Sequence, residues 1–234
     1  MFNTVSVILL AAMVLAAALH LLWVGPKRVP DDVAEAAPGT VTRLSLTERL
    51  MHGVLALSFI VLAVTALGAE WSAGELGGWM LLIHVGAGAV FAVALALAAL
   101  RWAGENVFAA HDRHWFSNGL GGYLRRGDRQ VAAGRFDAGQ KLLFWTALTL
   151  GAATMLTILL SVQPWFGYRG QAMLIEVHRY AGLLLVAAVV VHLYIMLVAK
   201  AGAWRSMFRP RVAAAWARHH HGLWWRHFND KGDS

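Results

Sequence analysis

The chain has 234 residues, of which 59% are hydrophobic and only 14% are charged, and its mean hydropathy is +0.56. A water-soluble domain carries about 25% charged residues, so this composition excludes that class and indicates an integral membrane protein. The absence of cysteine excludes disulfides, thiolate-bound haem, iron–sulfur clusters and cysteine zinc sites within this chain. The net charge of +7 falls in segments that flank apolar runs, which indicates membrane topology rather than nucleic-acid binding.

The first apolar run covers residues 5–24 and is long enough to cross a bilayer. We interpret residues 1–25 as a transmembrane helix rather than a signal peptide, because no Lys or Arg precedes the run and no small-x-small cleavage motif follows it. His20, near the end of this helix, is predicted to have a structural or interfacial role. A polar linker with three prolines follows over residues 26–47 and is predicted to lie in the cytoplasm.

Residues 48–202 are predicted to form a bundle of four further membrane spans. These spans cover residues 50–68, 79–100, 142–160 and 173–200. The basic, glycine-rich segment 101–141 is predicted to be a loop with short interfacial helices. Residues 203–234 form a basic, tryptophan-rich tail, which is typical of an amphipathic interfacial segment on the cytoplasmic side. Within it, the consecutive histidines 219–221 lie near two tryptophans, which favours contact with lipid over a metal site.

The distribution of Lys and Arg predicts the topology. Of the 20 Lys and Arg residues, none precede the first span, four lie between the first two spans, none lie in the next connection and seven lie in 101–141, while two lie near the fourth connection (Arg169 and Arg179) and seven from Lys200 onward. Because positive residues accumulate on the cytoplasmic side, this alternation predicts five spans with the N-terminus outside and the C-terminus in the cytoplasm.

Two histidines, His178 and His192, lie within the last span. They are 14 residues apart, which corresponds to roughly 21 Å along a helix and nearly four full turns, so both side chains lie on one face. Polar residues within a membrane span are costly and usually face the bundle interior. Two haems, or hydrogen bonds to neighbouring helices, would each account for this pair.

The predicted topology sorts four histidines by membrane leaflet. His84 and His178 lie towards the outer face, whereas His52 and His192 lie towards the cytoplasm. Each pair offers one imidazole from each of two helices, which is what a b-type haem with two axial histidines requires. We therefore predict two haems b, with His84 and His178 on the iron of one and His52 and His192 on the iron of the other.

Small and positively charged residues near these histidines are consistent with haem binding. Gly86, Gly88 and Gly182 would leave room for a flat macrocycle, although small residues also let transmembrane helices approach one another. Arg49 and Arg179 are placed where haem propionates could be bound, although positively charged helix ends are common.

Several short motifs carry a resemblance to a known family. These are ERLMH at 48–52, HVGAG at 84–88, GRFDAGQKLLFW at 134–145, the 178–192 histidine pair and the tail from Arg209 to Phe228. Together they resemble the gamma subunit of membrane-bound formate dehydrogenase over residues 43–228. The resemblance implies an all-α membrane protein in which a four-helix di-haem cytochrome b bundle is joined here by one extra N-terminal helix.

The resemblance also implies a function and a set of roles. The family passes electrons from an iron–sulfur beta subunit, itself fed by a molybdenum- or tungsten-dependent alpha subunit, through two b haems to quinone near the cytoplasmic face of the bacterial inner membrane. The outer haem would face the iron–sulfur subunit. The family's quinone pocket (ubiquinone or menaquinone) matches Asp137, Gly139, Gln140 and His192 here.

Asp137 departs from the pattern of the family, which typically has Asn at this place. A carboxylate can transfer a proton to or from a quinone, which an amide cannot do. Asp at the start of a helix is also a common N-cap. The sequence leaves both roles open.

Two other functions remain as alternatives. A nickel–iron hydrogenase or thiosulfate reductase also has a cytochrome b subunit of this kind, and only the GRFDAGQK stretch favours formate dehydrogenase. A haem-free transporter that uses histidine relays is disfavoured, because the spans lack the Gly and Pro interruptions of broken transporter helices.

Overall fold

The structure of the protein is a computed structural model that describes residues 2–26, 29, 31, 35, 37, 39–72, 76–124, 131, 133–200 and 202–232, without the side chains of 228–232. Parts of the predicted linker, including Lys27 and Arg28, and part of the 69–78 loop lie outside the described residues.

The described chain is mainly helical and contains five helices long and apolar enough to cross a membrane. The all-α membrane fold predicted from the sequence is confirmed, and each predicted span falls on one of these helices. The helices are α1 (Phe2–Trp23), α2 (Leu46–Trp71), α3 (Gly78–Trp102), α4 (Asp112–Ser117), α5 (Ala138–Ser161), α6 (Gly167–Tyr194), α7 (Arg205–Phe208), α8 (Ala214–His220) and α9 (Gly222–Gly232). Short 3₁₀ turns cover Gly104–Asn106 and Pro164–Phe166.

The chain divides into two compact units. The first contains residues 1–13, 50–102 and 145–190, and the second contains 14–49, 103–144 and 191–234. In the first unit, α2, α3, α5 and α6 form a bundle whose buried core includes Phe59, Phe91, Leu95 and Leu185. Most other large apolar side chains on these helices are exposed, as expected where the surrounding medium is lipid.

In the first unit, the first half of α1 packs against the end of α2 and the middle of α6. The rings of Phe2 and Tyr180 meet edge to face at 5.1 Å, and the Trp71 indole donates a hydrogen bond to the buried Ser6 hydroxyl. The extra N-terminal helix, whose position the sequence left open, therefore packs at the edge of the bundle.

The second unit contains a small sheet and the C-terminal tail. Strands β1 (Thr40–Thr42) and β2 (Arg211–Ala213) pair antiparallel, with Val41 opposite Val212. Both valines face a cluster with Ala203, Trp216 and Ala217. The alternation of exposed and buried residues along each three-residue strand gives the sheet one apolar face, which α8 covers.

The N-terminus of α2 is fixed by reciprocal hydrogen bonds. Ser45 accepts a bond from the Glu48 N–H through its hydroxyl, and Glu48 accepts one from the Ser45 N–H, which together form a capping box. Arg135 then donates to both Glu48 and Glu105 and to the Arg43 carbonyl. These contacts attach the segment before α5 to the start of α2 within the second unit.

The end of α6 changes its winding just before the chain leaves the membrane region. Residues Ile195–Ala199 form a π-helical turn, and the Lys200 N–H donates to the carbonyl of Ile195 at 2.7 Å. A π-turn adds a residue to the helical repeat and so rotates the side chains beyond it, and such turns are frequent at functional sites. Lys200, which follows the turn, is 1% exposed.

Candidate haem site and buried ionic cluster

The predicted outer pair of histidines meets inside the first unit. The rings of His84 on α3 and His178 on α6 have centroids 6.4 Å apart and an interplanar angle of 68°. Two metal–nitrogen bonds of about 2 Å each, plus the distance of ~1.1 Å from each donor nitrogen to its ring centre, add up to about 6 Å. The observed separation therefore matches two imidazoles on opposite sides of one metal atom.

Hydrogen bonds fix the tautomer of both rings. His178 donates from Nδ1 to the Thr154 carbonyl at 2.9 Å, so its Nε2 carries no proton in the neutral ring. The Thr65 hydroxyl donates to the Val61 carbonyl and must accept from His84 Nδ1, at 2.7 Å, so Nε2 of His84 is also unprotonated. Histidines that bind a metal are typically held in this way, with one nitrogen bonded to the protein and the other available to the metal.

An apolar cavity surrounds the two histidines. It is lined by side chains of α2, α3, α5 and α6, including Phe59, Leu62, Phe91, Met155 and Leu185. Gly182 also lines it, and a Cβ atom added there would meet no atom within 4 Å. The donor set, the open space at Gly182 and the apolar lining fit a haem bound by two histidines.

The other glycines and the arginine near this pair have different surroundings. Gly88 is buried against Leu62 and Met155, and Gly86 faces open space without lining the cavity. Arg179 lines the cavity, but its guanidinium is bonded to Glu70 and Glu176, both at 2.7 Å, and stacks on the Phe2 ring. Any propionate at Arg179 would compete with these two carboxylates.

The two histidines of the predicted cytoplasmic-side haem lie in different units. His52, in α2, belongs to the first unit and His192, in α6, to the second, and both are half-buried. Their pairing stays a prediction.

The other arginine and the first histidine of the sequence analysis have interactions within the second unit. Arg49 donates to the Phe208 carbonyl at 3.0 Å. His20 donates from Nε2 to the Tyr123 carbonyl and accepts from the Tyr194 hydroxyl at Nδ1, both at 2.6 Å. Both ring nitrogens of His20 are thus satisfied, in agreement with a structural role.

Three of the four residues matched to a quinone pocket, all except His192 in α6, lie at the N-terminus of α5. Asp137 Oδ1 accepts from the Gln140 N–H at 2.9 Å, and the Gln140 side chain accepts from the Asp137 N–H at 3.1 Å. This reciprocal pair is a capping box with Asp and Gln in the two roles. Gly139 lies against the Trp115 ring, where an added Cβ would come within 2.9 Å of it. Asp137 therefore is an N-cap, and close packing accounts for the glycine.

The second oxygen of Asp137 belongs to a buried ionic cluster that the sequence analysis missed. We call Asp137, Lys200, His221 and Arg43 the ionic cluster. Lys200 donates to Asp137 Oδ2 at 3.0 Å and to His221 Nε2 at 2.8 Å, and Arg43 donates to the same Nε2 at 3.3 Å. His221 donates from Nδ1 to the Gly134 carbonyl at 2.8 Å, so its ring is neutral and accepts at Nε2.

Burial and charge shift the pKa values in the ionic cluster. Burial lowers the pKa of Lys200 to about 8, although Asp137 opposes this shift. Burial raises the pKa of Asp137, but the charge of Lys200 and the hydrogen bonds from Gln140 and Lys200 outweigh it and hold the pKa below its ordinary value. Burial also lowers the pKa of Arg43 to about 10, and burial and the nearby charge of Lys200 hold the pKa of His221 well below its ordinary value.

The tail histidines correct one expectation from the sequence. His219 is 6% and His221 0% exposed, so contact with lipid is wrong for both. The tail folds back because Trp216 is also buried, with the Arg43 guanidinium 4.7 Å and the Lys200 ammonium 5.2 Å from its ring centre. Within the described residues, no group of three or more His, Cys, Asp or Glu side chains is arranged to hold a metal ion.

Comparisons with known proteins identify the family of this chain. The family model of prokaryotic cytochrome b561 matches residues 43–210. The cytochrome b556 subunit of the nitrate-inducible formate dehydrogenase of Escherichia coli K12 is 24% identical over 198 residues, which cover 80% of this chain and 90% of that protein. A second formate dehydrogenase cytochrome b556 subunit of the same strain is 26% identical over 201 residues, or 80% and 92%. The corresponding subunit of Haemophilus influenzae is 28% identical over 193 residues, or 76% and 79%. The resemblance predicted from the short motifs is confirmed.

Proposed function

The chain belongs to the family of prokaryotic cytochromes b561, and from this premise we propose that it is the membrane-anchoring di-haem subunit of a respiratory formate dehydrogenase. In that role it passes electrons from an iron–sulfur subunit, supplied by a molybdenum- or tungsten-dependent catalytic subunit, to quinone. The three relatives are cytochrome b556 subunits of formate dehydrogenases and match most of this chain's length, which supports the assignment.

The geometry of His84 and His178 carries the haem part of the proposal. Both rings have a hydrogen bond at Nδ1 and an unprotonated Nε2, and their separation suits a single metal atom between them. A haem bound there would supply one-electron redox chemistry. Thr65 and the Thr154 carbonyl hold the two rings in place, and the cavity around them is lined mainly by apolar side chains.

A second haem would be held by His52 and His192, and the quinone site would include Asp137, Gly139, Gln140 and His192. Support for both comes from the sequence pattern and the formate dehydrogenase relatives. In the predicted topology the first haem lies near the outer face and the second near the cytoplasm, so electrons would cross the membrane before they reach quinone. Asp137 combines an N-cap with a carboxylate oxygen bonded to Lys200, which suits a residue that handles protons at a fixed position.

Formate-driven haem reduction tests this proposal. The protein should be purified from its native membrane with its associated subunits and mixed with formate under anaerobic conditions. Reduction of a b-type absorption band, together with two haems per chain by pyridine haemochrome analysis, is expected.

Two outcomes of this experiment would contradict the proposal. Reduction by hydrogen gas but not by formate would assign the chain to a hydrogenase, the alternative raised by the sequence. A preparation without haem would eliminate the cytochrome function altogether.

A further inference from the structure

A buried lysine lies directly behind the carboxylate assigned to the quinone site. Lys200 and Asp137 are 1% and 7% exposed at their side chains and are joined by a 3.0 Å ion pair. Lysine is rarely buried, because its charge must be removed from water. The capping box at α5 requires only Asp137 Oδ1, so it does not explain why a cation is held on Oδ2.

The orientation of Lys200 is fixed by three parts of the chain. The π-turn rotates it inward, Asp137 accepts one of its N–H groups, and His221 accepts another. His221 is itself locked, because its Nδ1–H is bonded to the Gly134 carbonyl. An ammonium has three N–H donors. Two of them have these acceptors within the described chain, and the ammonium nitrogen lies 5.2 Å from the centre of the Trp216 ring.

From this arrangement we infer that Lys200 is the proton store for quinone reduction and passes protons to the bound quinone through Asp137, with His221 as the residue that positions it. This inference rests on the proposed quinone site. The sequence pattern assigned no role to Lys200 and predicted only lipid contact for His221.

Quinone reduction at this site requires both electrons and protons. Reduction of a quinone to a quinol takes two protons and two electrons, and the electrons would arrive one at a time through the proposed b haem near the site. For each proton, a Lys200 N–H bond breaks and an Asp137 carboxyl O–H bond forms. That O–H bond then breaks as a bond from the proton to the quinone oxygen forms, and the neutral amine of Lys200 is reprotonated from cytoplasmic water.

The electrostatic surroundings suit such a store. The groups that face Lys200 are Asp137 at the start of α5, Arg43 between β1 and α2, and His220 and His221 at the end of α8. Only Asp137 is negative, whereas Arg43 is positive and His221 is neutral. Burial and the charge of Arg43 lower the pKa of Lys200 to about 8 although Asp137 opposes them, so at neutral pH Lys200 is protonated and holds its proton less tightly than an exposed lysine does.

The test uses the purified complex with its haems reduced by a stoichiometric amount of dithionite and mixed with decylubiquinone in a stopped-flow instrument. The rate of haem reoxidation is measured from pH 6.5 to 9.5, in H₂O and D₂O. This assay needs no formate. If the wild-type haem is not reoxidised by decylubiquinone or by menadione, the proposed quinone function fails, independently of the role of Lys200.

In the wild-type protein we expect the rate to fall by about tenfold per pH unit above pH ~8, as Lys200 loses its proton, with a solvent isotope effect of about twofold or more. Lys200→Arg keeps the charge but holds its proton too tightly, so we expect a rate at least about tenfold lower at pH 7 and no change between pH 7 and 9. His221→Leu should lower the rate, and His221→Gln, which keeps an acceptor, should restore most of it.

The matched control is the buried pair of Asp112 and Lys141, joined at 2.7 Å with side chains 4% and 5% exposed. Asp112→Asn breaks a pair of the same kind and should keep the wild-type pH profile within about twofold. A wild-type rate that is flat from pH 7 to 9 would overturn the inference without any variant. A Lys200→Arg protein with full haem content and the wild-type rate of haem reoxidation would also overturn it. The same holds if Asp112→Asn lowers the rate as much as Lys200→Arg does.

Discussion

The two units handle buried polar groups differently. In the first, His84 and His178 each use Nδ1 in a hydrogen bond to the protein and leave Nε2 without an acceptor or donor in the described chain. In the second, Lys200 donates hydrogen bonds to Asp137 and His221, and His221 donates to the Gly134 carbonyl, so most polar atoms of the ionic cluster are hydrogen-bonded to one another or to the backbone. Two neighbouring imidazoles whose Nε2 atoms have no protein partner are typical of a cofactor site. Buried charges that are paired with each other are typical of a structural or proton-transferring cluster.

Breaking the charge balance of the ionic cluster should have the largest effect on stability. Asp137→Asn keeps the N-cap of α5 but leaves the Lys200 ammonium buried without a carboxylate, at a cost of about 3–5 kcal/mol in the free energy of unfolding. The measurement is thermal or denaturant unfolding of the detergent-solubilised protein.

A second substitution provides the control for that loss. The double variant Asp137→Asn/Lys200→Met removes the unpaired charge as well, so it should recover a large part of the lost stability. If the single variant is as stable as wild type, or the double variant is no better than the single, the ion pair does not stabilise the second unit.

Acid should weaken the second unit through its buried neutral histidines. Burial and nearby cations hold the pKa values of His220 and His221 well below the ordinary 6.5. Between the lowered folded value and 6.5 the unfolded chain binds more protons, so stability rises with pH across this window and is lost as the pH falls below about 6.5. Each pH unit should cost about 1.4 kcal/mol for each histidine, measured as the unfolding free energy from pH 7 to 5. A midpoint that does not change over this range would show that neither ring is held neutral.

Removing the hydrogen bond to His84, a proposed haem ligand, should weaken haem binding without removing the ligand. Thr65→Val deletes the acceptor for His84 Nδ1–H, and loss of such support typically lowers metal affinity by about 10–100-fold. Haem retention during titration with apomyoglobin is the measurement. The matched control is Thr157→Val, because the Thr157 hydroxyl bonds only to carbonyls of its own helix. Equal haem loss in both variants would mean that the bond to His84 is unimportant.

The sequence predicted the parts of this structure that depend on local pattern. Hydrophobic runs of spanning length identified the five long helices of the described chain. The distribution of positive residues predicted that His84 and His178 lie in the same leaflet, and in the structure their ring centres are 6.4 Å apart. Helix length and face follow from residues a few positions apart, so a single sequence contains them.

The ionic cluster could not be predicted in this way. Lys200 and Asp137 are 63 residues apart, and Lys200 resembles an ordinary basic residue at the end of a span, where it would be expected to extend into water. The π-turn that rotates it inward has no signal in the hydrophobic pattern. The packing of Gly139 against Trp115 was also not predictable, because it depends on a residue 24 positions away; the assignment of Gly139 to the quinone site stays a prediction.

The most direct test of the account is the haem content of His84→Ala and His178→Ala, with His20→Ala as the control. Redox titration of the b-type absorption in each purified variant reports which haem remains. If these two histidines bind one iron, each of the two variants should lose the same one of two haems, with the same midpoint potential missing, and His20→Ala should retain both. Two haems in either variant, or the loss of different haems from the two, would contradict the pairing of His84 with His178.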